Sequence, residues 1–138
     1  MTSQIVYKGN LRTEATHLQS NTVIETDAPV DNNGKGERFS PTDIVATALG
    51  SCMLTIMGMK AASMNIDLSD TTLDVKKIMV ANPRRIAGVQ IQFSFPKRLQ
   101  LSEKEQAILE NAAHTCPVAK SIHPDIQVEV KFGWREVV

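Results

Sequence analysis

From Ser40 to about Met64 the chain reads SPTDIVATALGSCMLTIMGMKAASM, its longest apolar run, with Cys52 near the middle. Ser40 ahead of Pro41 is a helix start signal, and Asp43 three residues on completes a capping-box-like pair. Between Asp43 and Asn65 the only charge is Lys60. A helix of roughly 24 residues would be about 36 Å long. Apolar residues on nearly every side predict burial nearly all round. The run approaches membrane-spanning length, but Thr47, Gly50, Ser51, Thr55, Gly58, Lys60 and Ser63 dilute it, so the reading is a buried helix of a soluble protein. Ala46 and Gly50, with Thr47, Ser51 and Thr55, would let a second helix backbone approach closely.

Everything else must cover that helix. Residues 3–8 and 22–27 are β-branched runs that predict short strands, with 12–20 (RTEATHLQS) as a second strand between them. The Pro, Asp, Asn and Gly content of 28–39 predicts a loop. A strand over 72–80 and the alternation of Val89, Ile91, Phe93 and Phe95 with Gln90, Gln92 and Ser94 make 71–96 a hairpin. Ser102-x-x-Glu105 opens a second helix, on which Ile108 and Ala112 share a face and the next step of four is Cys116. Pro117 then breaks that helix or starts a short new one. A last strand alternates Ile126, Val128, Val130 and Phe132. This order predicts one α+β domain over 1–138, antiparallel strands covering two helices. A helix so apolar needs more cover than one small sheet gives, which predicts a homodimer.

With 15 basic and 15 acidic residues in 138, the formal charge is zero, which argues against a nucleic-acid partner. The N-terminal MTSQIVYKGN lacks the charged start and apolar core of a signal peptide. Two cysteines without export signals fit reduced thiols and a cytoplasmic setting.

Those thiols are the first candidates for chemistry. Cys52 reads either as a small hydrophobe in a core helix or as a nucleophile. The helix N-terminus cannot activate it: twelve residues at 1.5 Å each put it about 18 Å away, and the dipole effect fades within a turn. A reactive Cys52 therefore needs a cation from another segment or subunit. Cys116 reads either as a core-facing end of the second helix or as the N-cap of a helix opened by Pro117, where backbone amides favour a thiolate. A zinc site from His17, His114, His123 and the cysteines lacks the usual short-spaced ligand pairs apart from His114-x-Cys116. Arg12 and Arg38 are the cations that could reach a thiolate or substrate, with Glu14 and Glu37 to orient them. No phosphate-binding loop or nucleophile elbow is present.

FSPTDIVATALGSCMLTIM, followed about sixty residues later by HTCPVAKSIHP, resembles the OsmC/Ohr family of osmotically induced and organic-hydroperoxide-resistance proteins, and the likeness runs from the first strand to the last. The resemblance implies an intertwined homodimer with sheets wrapped around two central helices and active sites at the subunit interface. It implies that Cys52 attacks an organic hydroperoxide and that Cys116 resolves the sulfenic acid as a disulfide. A dithiol such as a lipoyl group would then reduce the disulfide, with no bound cofactor. Arg12 falls in the region that supplies the family's active-site arginine. The peroxidase members carry a glutamate ten residues before the first cysteine; here that position is Thr42, leaving Asp43 or Glu14 as candidate supporting carboxylates. This departure keeps a second reading open, a non-catalytic module that binds a small apolar or thiol ligand. Met53, Ile56 and Met57 are the expected apolar lining beside Cys52. Helix-end physics favours Cys116 as the more acidic thiol; the resemblance favours Cys52, because an interface can deliver Arg12.

Overall fold

In a computed structural model of the protein, which describes residues 1–134, the β-branched runs near the start form an antiparallel meander, β1 (Ser3–Gly9), β2 (Arg12–His17) and β3 (Val23–Asp27), in that spatial order. Gly9, Asn10 and Leu11 all have positive φ (85°, 54° and 64°), a tight reversal that pairs Gly9 with Arg12. The second reversal sets Arg12 opposite Asp27 and Ala15 opposite Ile24. A single 3₁₀ turn, Val30–Asn32, interrupts the loop to the first helix. The chain divides into two compact units, Met1–Val45 and Ala46 onward. In the first, Ile5, Val6, Tyr7, Val23 and Ile24 are exposed, so the meander shows apolar side chains on both faces.

Helix α1 (Pro41–Ser63) starts at the reciprocal cap expected of Ser40 and Asp43: Ser40 N–H donates to Asp43 Oδ2 (2.9 Å) and Asp43 N–H to Ser40 Oγ (3.1 Å). It ends where Asn65 turns left-handed (φ 58°), with Ile66 N–H bonded to Ala61 O (2.8 Å) and Asn65 N–H to Ala62 O (3.1 Å), a Schellman closure. Its burial is narrower than the composition predicts. Ala46, Leu49, Gly50, Met53, Met57 and Ala61 are buried. That is one stripe at steps of three and four, while Val45, Thr47, Ser51, Thr55 and Met59 are exposed. Gly50 faces the chain's own sheet: a Cβ there would lie 3.0 Å from Val75 Cγ2 and 3.4 Å from Leu73 Cδ2. The small residue Gly50 thus admits a sheet.

That sheet is β4 (Thr72–Val80), β5 (Arg85–Ser94) and β6 (Gln127–Gly133). The alternation of β5 holds: Val89, Ile91, Phe93 and Phe95 are buried with the α1 stripe, joined by Leu101, Leu109 and Ala113. The expected all-antiparallel sheet is corrected in two ways. The strands form two separate three-stranded sheets, and β6 pairs parallel to β5, Ile91 opposite Val130 and Phe93 opposite Phe132. The segment from Phe95 to Ile126 carries α2 (Glu103–Ala113) and α3 (Pro117–Ser121). A connection that long returns the chain to the same end of the sheet, which a tight turn cannot do. On α2 the buried positions are Leu109 and Ala113, with Ile108 and Ala112 at the margin, a rotation of one residue from expectation. The result is a mixed α+β fold with two principal helices and two sheets.

Phe93 is fully buried, its ring stacked on those of Phe95 (centroids 5.8 Å apart) and Phe132 (4.9 Å). Phe93→Ala is expected to cost about 3–5 kcal/mol of stability, read as a shift of the urea midpoint; an unchanged midpoint would contradict this core.

Candidate active site: a thiol pair and a clamped arginine

Cys52 sits mid-helix, half-buried at the edge of the core stripe. At 100° per residue it belongs to a second apolar row, Val45, Ala48, Cys52, Ile56 and Met59, whose ends Val45 and Met59 are exposed. Of the expected lining, Ile56 shares this row, whereas Met53 and Met57 are buried in the core.

Cys116 is fully buried and is the N-cap of α3, with Pro117 at the first helical position. Its extended backbone (φ −63°, ψ 138°) lets Sγ accept the Ala119 N–H at 3.3 Å. The capping geometry read from Pro117 is therefore present, but its expected electrostatic result is reversed. Burial pushes the Cys116 thiol above its ordinary range; the Ala119 amide works the other way and is outweighed. The next contribution is Cys52, near enough for its side chain to oppose removal of the Cys116 proton. Both cysteines are free thiols. Two residues far apart in sequence are thus neighbours at one edge of the core, with burial keeping the Cys116 thiol protonated.

Arg12 opens β2 in the N-terminal unit. Its Nε donates to Asp27 Oδ1 (2.7 Å) and one terminal nitrogen to Asp27 Oδ2 (2.8 Å) and Glu37 Oε2 (3.1 Å). Asp27 is 1 % exposed and also accepts the Glu37 N–H at 3.2 Å. The Arg12 hydrogen bonds hold its carboxyl below the usual range, and the same bonds raise the guanidinium. Glu37 orients Arg12 as expected. The principal partner, however, is Asp27, which the sequence reading passed over; pairing 12–17 with 23–27 as a hairpin would have placed it opposite Arg12. Arg38 bonds Glu25 at 3.2 Å. Glu14 lies opposite Glu25 in the sheet, and with Lys8, Arg12, Glu25 and Lys35 it lines a cleft of about 300 Å³. Asp43 is engaged in the helix cap. Thr42 Oγ1 lies 3.2 Å from Ser40 Oγ. The histidines are dispersed: His17 Nδ1 meets Ser20 Oγ (2.6 Å), His114 packs edge-on to Phe132, and His123 sits beside Asp125. Among the described residues no group of three or more His, Cys, Asp or Glu is placed to hold a metal.

A mixed α+β fold with a capped, buried thiol against a helix-borne one defines a class, and comparison with known proteins gives it a family. Residues 34–131 match the family model described as OsmC-like protein. The chain belongs to the OsmC family. It is 57% identical to an osmotic stress induced and detoxification response protein, so named, of Psychrobacter arcticus, over 96% of this chain and 95% of that one, with a TM-score of 0.91. The fold is shared with the organic hydroperoxide resistance protein OsmC of Legionella pneumophila (18% identity, 96% of both chains, TM-score 0.73). It is shared also with the organic hydroperoxide resistance protein OhrB of Bacillus subtilis (18%, 96% of this chain and 98% of that one, TM-score 0.66). No curated protein matches.

Because Cys116 holds its proton more tightly folded than unfolded, its contribution to stability is fully present below the unfolded thiol pKa and is lost as pH rises through the folded value. The melting temperature is expected to fall as pH rises above the ordinary thiol range of about 8.5, and Cys116→Ala should flatten that decline. An identical decline in the variant would contradict the buried, protonated thiol.

Proposed function

We propose that the protein is a cysteine-based peroxidase that reduces organic hydroperoxides, working as a homodimer in the cytoplasm. The observation that carries this reading is the placing of Cys52 beside Cys116 at one edge of the core, within the two family motifs. The Cys52 thiolate attacks the terminal oxygen of the hydroperoxide; an S–O bond forms, the O–O bond breaks and an alkoxide leaves, taking up a proton as the alcohol. The sulfenic acid on Cys52 is then attacked by the sulfur of Cys116, releasing water and forming the Cys52–Cys116 disulfide. An external dithiol restores both thiols. A protonated Cys116 suits its part, since a neutral thiol does not compete for the peroxide.

Arg12 supplies the cation that α1 cannot, delivered to Cys52 by a second copy of the chain. The exposed apolar residues of the first meander, with Val45 and Met59 on the row of Cys52, support a subunit interface there. That apolar row also favours an organic substrate over hydrogen peroxide.

Cys52→Ser should lower consumption of cumene hydroperoxide with dihydrolipoamide to background. Cys116→Ser should leave a sulfenic acid on Cys52 that dimedone traps and excess peroxide over-oxidises. Wild-type turnover in Cys52→Ser would reject the mechanism. No peroxide consumption by the wild-type protein, with Cys52 alkylated by iodoacetamide no faster than an ordinary thiol, would favour the binding module instead.

A further inference from the structure

We propose that Asp27 is the positioning residue for Arg12 in this reaction, with Glu37 as the second, exposed carboxylate of the clamp. The inference rests on the peroxidase reading above. A guanidinium offers five N–H donors in one plane. In this chain Nε–H and both hydrogens of one terminal nitrogen are taken, two by the Asp27 carboxylate side-on and one by Glu37. The other terminal nitrogen makes no hydrogen bond among the described residues, so the clamp leaves a single pair of N–H groups, in a fixed direction, for an anion. The clamp is itself anchored. Asp27 is 1 % exposed, closes β3 opposite Arg12, accepts the Glu37 backbone N–H (3.2 Å), and donates its own N–H to Phe39 O (3.1 Å). One buried carboxylate therefore sets both the plane of the guanidinium and the path of 37–39.

Glu37 differs in kind: its side chain is 59 % exposed and holds one hydrogen at 3.1 Å. It trims the orientation that Asp27 sets. The two carboxylates neutralise much of the Arg12 charge, so what the clamp contributes is direction. Lys8 and Lys35, on the same cleft, offset Glu14 and Glu25 and keep it from turning acidic. Neither carboxylate touches the reacting atoms. Both act through Arg12.

The test is a double-mutant cycle on the full chain, reading the second-order rate of Cys52 oxidation by cumene hydroperoxide, with circular dichroism to confirm folding. Arg12→Ala is expected to slow oxidation. Asp27→Asn, which keeps the shape but loses the charge, should slow it about 10- to 100-fold, the scale of a misplaced catalytic group. In the Arg12→Ala background the same Asp27→Asn change should have no further effect, because a positioning residue has nothing left to position. Glu37→Gln lies on the surface and carries the same test should Asp27→Asn fail to fold; it is expected to cost several-fold, again only when Arg12 is present. Two results overturn the inference: wild-type rates in both carboxylate variants while Arg12→Ala is slow, or an equal loss from Asp27→Asn with and without Arg12. Failure of the underlying reading looks different, since then the wild-type protein itself would leave the hydroperoxide intact.

Discussion

The packing of one stripe of α1 against β4–β5–β6 is the constraint on which the site depends. Leu49, Met53 and Met57 bury themselves among Val89, Ile91 and Phe93, and Gly50 brings the helix backbone down onto Val75 and Leu73. That docking fixes the rotation of the helix about its axis. Cys52, one residue from Met53, is thereby held at the edge of the core, in the neighbourhood of Cys116. A rotation of one residue would send the sulfur either into the core or out to the exposed side of Ser51.

The two thiols then differ because their surroundings differ. Cys116 is sealed by α2, α3 and the core, and desolvation outweighs the one amide that caps it. A helix N-terminus favours a thiolate only where the sulfur keeps some access to water or to a cation; Cys116 has neither. This is why the thiol stays protonated despite its N-cap geometry. Arg12 shows the opposite balance. Its carboxylate partner is buried just as deeply, yet two short hydrogen bonds overcome the desolvation of Asp27.

Much of the fold was legible because the local signals were strong. Ser40, Pro41 and Asp43 marked the start of α1, the alternation of 89–95 marked β5, and Pro117 marked α3. What failed was information that lives in pairing. In α1 apolar residues occur on so many sides that periodicity carries no phase, so the buried stripe could not be told from the row of Cys52. The parallel seat of β6 depends on the length of the crossover and not on its own residues. Asp27 closes a run of strand residues and looks like a turn signal; only the register of the meander reveals it as the partner of Arg12. The proximity of Cys52 and Cys116 was invisible to spacing and entered through family resemblance alone.

At the centre of the proposed mechanism is the passage of Cys52 and Cys116 from sulfenic acid to disulfide within one chain. The direct measurement is a titration of the fully reduced protein with cumene hydroperoxide, counting free thiols and mapping linked peptides by mass spectrometry. The account predicts two thiols lost per equivalent of peroxide and a single cross-link joining the peptides of Cys52 and Cys116 within one chain. Loss of a single thiol per chain, or a cross-link only between chains, would contradict it.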